Sequence, residues 1–249
     1  MIDTSVKKIF VGFAKPFSCH TCRMNSLCLP LGLDADNLYK LDELIDRKKP
    51  LQPREGVFFS GDPFTSIYAV RSGSIKSFCI DSDGREQVTG FYFPGEVFGW
   101  DGLADEQYQN TAVALETTSL CEIPYQQLDD LGTSIPSIKK YVMKLISREI
   151  NADQRLIALL AGNSAQQKLA SLLLSISDRL AQQGLSSTRL WLPMSRGEIS
   201  NYLGLTVETV SRVLGHFQRN KILAVNKKDI DILDMRALRD VMHSTEEVE

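Results

Sequence analysis

The hydrophobic period of this chain changes near Pro124, and that change constrains the fold more than any single motif. Across residues 51–124, short apolar runs alternate with turn signals at Glu55-Gly56, Ser60-Gly61-Asp62-Pro63, Ser72-Gly73, Ser82-Asp83-Gly84 and Phe93-Pro94-Gly95. Residues 57–59, 67–70, 75–78 and 89–93 are strand-like. Many short strands at this spacing predict an all-β sandwich or barrel. From Pro136 the breaks stop, and a helical stretch continues to about Gly162. With 249 residues the chain is long enough for two domains, each with its own core.

Ahead of the strands, residues 34–47 read as a short helix with Leu38, Leu41, Leu44 and Ile45 on one face. Beyond the long helix, residues 165–183 form another amphipathic helix, broken by Gly184 and Ser186-Ser187. Leu190-Trp191-Leu192 resembles a short strand, residues 196–203 and 207–219 two shorter helices, and residues 222–233 a hairpin around Lys227-Lys228-Asp229. The expected division is a cysteine-rich segment at 1–33, a strand-rich domain at 34–135, the long helix at 136–162 and a C-terminal domain at 163–249.

No run of about 18 apolar residues occurs, so no membrane span is expected. The first 30 residues lack the order of a secretory signal, which predicts a cytoplasmic protein. The net charge of −3 is unevenly spread. Residues 164–243 carry 11 Lys and Arg against 7 Asp and Glu, residues 1–163 carry 17 against 21, and the tail adds Glu246, Glu247 and Glu249. A basic C-terminal third fits a local nucleic-acid footprint.

That third contains the most specific motif, residues 195–217. Ile199 and Leu203 mark the buried face of a first helix, Gly204 frees the backbone for a tight turn, and Leu205 plugs the space between helices. Thr206 is a good N-cap for the second helix, in which Val210, Val213, Leu214 and Phe217 face inward. Glu208, Ser211 and Arg212 then share the outer face near its N-terminus, where a recognition helix meets base edges. Arg212 can make a bidentate contact to guanine, Glu208 can accept from cytosine N4, and Ser211 is adaptable. Arg196, His216, Arg219, Lys221, Lys227 and Lys228 are candidates for the phosphate backbone. Helix-turn-helix chemistry is the function these residues predict. With only three His, no Ser/His/Asp constellation and no glycine-rich phosphate loop, catalysis is not expected.

Five cysteines stand at 19, 22, 28, 79 and 121, an odd number that argues against a disulfide framework. Cys19, Cys22 and Cys28 place three thiols on a short loop closed by Pro30. A four-cysteine zinc or iron–sulfur site needs a fourth ligand from Cys79 or Cys121, and this one-sided spacing suits an iron–sulfur cluster somewhat better. On the long helix, Ile138, Val142, Leu145, Ile146, Leu156, Ile157 and Leu160 form an apolar stripe, as at a dimer seam. Glu149 and Asp153 fall near its centre. Two carboxylates facing each other across a parallel pair at about 6 Å and an effective dielectric of about 20 repel by about 3 kcal/mol. Asp153, with Ile146, Ile150 and Ile157, is therefore the expected dimer switch.

Together these features resemble the cyclic AMP receptor protein superfamily, and more closely its fumarate and nitrate reductase regulator (FNR) branch, from Cys19 to about Ala237. The resemblance is carried by the cysteine spacing, Arg71-Ser72-Gly73-Ser74-Ile75-Lys76, Ala114-Leu115-Glu116-Thr117, Cys121-Glu122-Ile123-Pro124 and Asn201-Tyr202-Leu203-Gly204-Leu205-Thr206-Val207-Glu208-Thr209-Val210-Ser211-Arg212. It implies an α+β chain: an N-terminal β-roll (jelly-roll-like) sensor domain, a long dimerisation helix and a C-terminal winged helix-turn-helix. It implies an oxygen-labile [4Fe-4S] cluster on Cys19, Cys22, Cys28 and Cys121, with Cys79 a bystander. It also implies a homodimer in which Thr206, Val207, Glu208, Ser211, Arg212 and Arg196 meet double-stranded DNA, reading TTGAT-type inverted repeats. The expected contact with RNA polymerase lies at loops such as residues 81–87. Gly95-Glu96 matches the cyclic-nucleotide cassette, but Asn110-Thr111 stands where its Arg-Ser would be, so no cyclic nucleotide is expected. Arg23 sits where the family often has a small residue, a cation able to change cluster potential or oxygen access.

Overall fold

The change of period is realised as a β-roll followed by helices. The computed structural model describes residues 18–29 and 33–243; the expected closure at Pro30 and the acidic tail after residue 243 lie outside them. The first helix, α1 (Ala35–Leu44), starts at Asp34, whose carboxylate accepts the Asn37 N–H at 2.8 Å and satisfies a free donor of the first turn. Strands β1 (Gly56–Phe58), β2 (Ser66–Ser72), β3 (Ile75–Ile80), β4 (Glu86–Tyr92), β5 (Val97–Phe98), β6 (Thr111–Ala114) and β7 (Ser119–Pro124) follow. They make two antiparallel sheets, ordered β1-β6-β3-β4 and β5-β2-β7. Phe58, Tyr68, Val70, Phe98 and Tyr108 pack between them, and Phe58 and Tyr108 stack at 3.8 Å. The β2–β3 turn requires Gly73: its φ is +81°, and a Cβ there would lie 2.4 Å from Thr118 Oγ1.

Helix α2 (Tyr125–Ser134) carries the chain to α3 (Pro136–Gly162). Helix α2 is not expected from the sequence, because its ten residues bury only Leu128 and Gly132 and give the period little to repeat on. Pro136 opens α3 at the position where a missing N–H costs nothing. At 1.5 Å per residue the helix is about 40 Å long, enough to carry two apolar rows. The single stripe expected from the sequence is in fact both of them. Ile138, Val142 and Leu145 pack into the cysteine-side core of their own chain, and Leu156 lines a cavity against α4. Glu149 belongs to this inner row. Its Oε1 accepts the Tyr92 hydroxyl at 2.8 Å. The outer row holds Met143, Ile150 and Ile157, which are 62%, 52% and 66% exposed and seven residues apart. Ile146, Asp153 and Leu160 interleave with them at heptad spacing, Asp153 at the border of the two rows because it also lines the α4 cavity. The two rows are neighbours on the helix surface, so a helical wheel merges them.

Helix α4 (Ala165–Gln182) is capped by Ser164 and Gln167, each side chain bonding the other's backbone N–H. Strand β8 (Arg189–Trp191), helices α5 (Arg196–Tyr202) and α6 (Val207–Arg219), strands β9 (Leu223–Asn226) and β10 (Asp229–Ile232), and α7 (Met235–Asp240) complete the chain. The expected hairpin is present, and β8 joins it to make a wing ordered β8-β10-β9. Leu169, Leu173, Ile199, Leu203, Val210, Leu214 and Phe217 form one core with Val88, Phe91 and Phe93 of the β-roll. Helix α5 is thereby docked on β4: Asn201 Oδ1 accepts the Val88 N–H at 2.6 Å, and its Nδ2 donates to the Glu86 carbonyl at 2.7 Å. Buried Lys76 bridges Glu86 and Glu198 at 3.1 and 3.2 Å.

Candidate cysteine centre and nucleic-acid interface

Local turns gather the first three cysteines. Cys22 N–H donates to the Cys19 carbonyl at 3.4 Å, and Cys28 N–H to the Met24 carbonyl at 2.9 Å. Cys121 arrives from β7, where strand alternation puts it on the same face as buried Ile123. The result is one cavity of about 410 Å³ lined by Cys19, Cys22, Cys28 and Cys121. Cys79 is not part of it; its thiol lies 3.8 Å from the Gln87 carbonyl. His20 is exposed and does not line the cavity.

Arg23, Arg47 and Arg71 line the cavity, and no carboxylate is among its described lining residues, although Asp42 accepts the Cys19 N–H from behind. Burial pushes the Cys19 thiol well above its usual range, Asp42 adding to the effect. Burial pushes Cys28 up to about 12 and raises Cys121, which Arg47 pulls partly back. Cys121 raises both Cys19 and Cys28, and Cys22 raises Cys28 and Cys121, so the four groups act on one another. Among the described residues, no three His, Cys, Asp or Glu side chains converge to hold a single metal ion.

The helix-turn-helix is built by caps and one glycine. Ser195 and Glu198 form a reciprocal cap at the start of α5. Gly204 turns the chain at φ +61°. Thr206 caps α6, its Oγ1 accepting the Thr209 N–H at 3.1 Å. Val210, Val213, Leu214 and Phe217 are buried, while Val207, Glu208, Ser211 and Arg212 are exposed on the opposite side. The six basic residues proposed for phosphate differ in freedom. Arg219, Lys221 and Lys227 are exposed. Arg196 is half-buried and donates to the Lys227 carbonyl at 3.1 Å, so it braces the wing. Lys228 is tethered to the Pro193 carbonyl and lies over the Trp191 ring at 5.9 Å. His216 is paired with Asn220 at 2.9 Å.

Comparison with known proteins decides the family. A family described as the cyclic nucleotide-binding domain matches residues 48–134, and one described as the Crp-like helix-turn-helix domain matches residues 167–241. The chain is 46% identical to electron transport regulator A of Shewanella oneidensis over 220 residues, 88% of each protein. It is 44% identical to the fumarate and nitrate reduction regulatory protein of Vibrio cholerae over 223 residues, covering 90% of this chain and 89% of that protein. The chain belongs to the FNR branch of the cyclic AMP receptor protein superfamily. The structure of FixK2 from Bradyrhizobium japonicum shares its fold, with a TM-score of 0.73 at 26% identity over 81% of this chain and 99% of that one.

As an FNR-branch protein it is a transcription regulator that binds DNA through its helix-turn-helix, and its relatives are regulators, not enzymes. No helix among the described residues is long and apolar enough to cross a membrane. The sequence alone does not show the supporting roles of some residues that shape these two sites, Lys76 and Asn201 among them although both lie in motifs. Asp42 and Arg47 hold Cys19, and Asn201 and Lys76 hold α5 on the β-roll. Their partners are far away in sequence or carry no motif. Arg47 sits in Asp46-Arg47-Lys48-Lys49, which looks like any solvated charge run.

Proposed function

We propose that this chain is an oxygen-responsive global transcription regulator of the cytoplasm. It acts as a homodimer that depends on a [4Fe-4S] cluster, binds TTGAT-type inverted repeats, and controls genes of anaerobic metabolism through RNA polymerase. The observation that carries the reading is the single cavity shared by Cys19, Cys22, Cys28 and Cys121. A zinc ion needs thiolates about 2.3 Å from one centre. Four cysteines lining one cavity with three arginines, and no carboxylate among the described lining residues, suit a larger anionic thiolate-bound group. When bound, such a cluster supplies an oxygen-labile cross-link between the 19–28 segment and β7.

The chain's own residues carry that state to DNA. Cys121 sits on β7 and shares a core with Ile138, Val142 and Leu145 of α3, so order in the cavity bears directly on the helix. The outer row of α3, Ile146, Ile150, Asp153 and Ile157, is the proposed seam of a parallel dimer, with Asp153 weakening it. Two-fold symmetry then places two α6 helices one turn of DNA apart. Arg212 reads guanine, Glu208 cytosine and Ser211 a neighbouring edge, while Thr206 and Val207 set the approach. The 81–87 turn is exposed throughout and stiffened by Asp81, which accepts the Asp83 and Arg85 N–H groups at 2.9 Å, a suitable face for RNA polymerase.

Cyclic nucleotide binding is not part of the proposal. Asn110, standing where the cassette cation would be, is committed to Asp101 at 2.9 Å. Glu96 accepts the Phe93 N–H at 2.9 Å and pairs with Arg179 at 3.4 Å. Aromatic rings fill the space between the sheets. The test is visible absorbance and iron content of protein purified without oxygen, before and after air is admitted. A brown, iron-containing protein that bleaches is expected. A colourless or zinc-containing protein removes the oxygen-sensing reading and leaves the DNA-binding assignment in place.

A further inference from the structure

The cysteine cavity holds a charged side chain for which the four-ligand reading has no use. Arg47 lies just beyond α1, and its Nη2 pairs with the Asp42 carboxylate and donates to Cys19 Sγ at 3.4 Å. Buried Asp42 also accepts the Cys19 N–H at 2.7 Å, so one carboxylate orients both the cysteine and the guanidinium. Arg47 also lines the cavity together with Cys121. Its Nη1 is buried and has no hydrogen-bond partner among the described residues. A buried charged donor left unpaired is costly. The described lining contains no carboxylate to satisfy it.

We propose that Arg47, oriented by Asp42, is a positioning residue for the thiolate-bound group, donating to the sulfur of ligated Cys19 and placing its charge in the cavity it shares with Cys121, thereby setting the retention and reduction potential of that group. This rests on the iron–sulfur reading above. Hydrogen bonds to cluster sulfurs and nearby positive charge shift the potential upward, and partners behind the ligands fix ligand orientation. The planar fork matters as well as the charge. Nη2 is held by Asp42 and Cys19 while Nη1 stays free, an arrangement a lysine cannot reproduce.

The experiment compares wild type, Arg47→Gln and Arg47→Lys, all purified without oxygen. It measures reduction potential and the rate at which an added iron chelator strips the protein in the absence of oxygen. Arg47→Gln is expected to have a more negative potential and to lose iron about 10-fold faster or more. Arg47→Lys is expected to recover most of the potential and little of the retention. Thermal unfolding of the metal-free proteins identifies a merely structural effect. The proposal is overturned if loaded Arg47→Gln matches wild type in both readouts, or if both variants are equally impaired and their metal-free forms equally destabilised. A wild-type protein without iron overturns this assignment and the cofactor reading together; a loaded wild type with an indifferent Arg47→Gln overturns this assignment alone.

Discussion

The recognition helix and the cysteine cavity reach their chemistry by opposite routes. Helix α6 presents Glu208, Ser211 and Arg212 from 13 consecutive residues, with its cap, turn and buried face all supplied within one short stretch. The cavity needs Cys19, Cys22 and Cys28 from one end of the chain and Cys121 from β7, and Asp42 and Arg47 must close the wall between them. A site made from one helix survives small shifts elsewhere in the fold. A site made from distant segments depends on the register of β7 against β2 and on the docking of the first segment. The second kind is suited to report a change, and the first to act on it.

The sharpest way to break this comparison is to remove a ligand from the distant side. Cys121→Ala is expected to abolish iron retention and specific DNA binding, while Cys79→Ala leaves both at wild-type levels; iron assay and footprinting measure them. The next largest effect concerns the link between the two sites. Asp153→Ala removes a repulsion of about 3 kcal/mol from the proposed seam. It should give a dimer without the cluster, and sedimentation showing a monomeric metal-free variant would sink the seam assignment. Arg212→Ala should cost about 1–3 kcal/mol at one base position, measured on single-base variants of the half-site. Its iron content should not change.

The smallest effect lies on the inner row of α3. Burial raises the Glu149 carboxyl from 4.5 to about 7, with Asp153 and Glu96 adding to the rise and the Tyr92 hydroxyl and Arg179 opposing it. The unfolded chain ionises this group near the ordinary value. Between about 4.5 and 7 the folded state therefore binds more protons, and stability falls as pH rises. Below that window the contribution is fully present; above it, it is gone. Glu149→Gln keeps an acceptor for Tyr92 and should flatten the slope by up to one proton. Urea midpoints across pH 4–8 measure it, and an unchanged slope would place the group elsewhere.

The same contrast explains what the sequence could show. The spans of α3 and α6 were legible because a long or strongly amphipathic helix repeats its period several times. The wing hairpin was legible from its turn. Helix α2 was not, because ten residues with a narrow buried face repeat too little. The inward turn of Glu149 was missed for a different reason: a wheel shows two adjacent apolar rows as one, and only Tyr92 on β4 separates them. The spacing of Cys19, Cys22 and Cys28 was visible, but without the family resemblance either Cys79 or Cys121 could have been the fourth. The cavity wall itself was illegible, since nothing in the sequence ties Asp42 and Arg47 to a cysteine more than 20 positions away.

The most direct test of coupling between the cavity and the recognition helix is binding of an inverted-repeat TTGAT duplex by one anaerobic preparation, measured before and after exposure to air. The account predicts tight, specific binding that falls at least about 10-fold in air together with the visible absorbance, in wild type and Cys79→Ala alike, and no such binding by Cys121→Ala. Equal binding before and after air, or wild-type binding by Cys121→Ala, would show that the cavity does not control the helix.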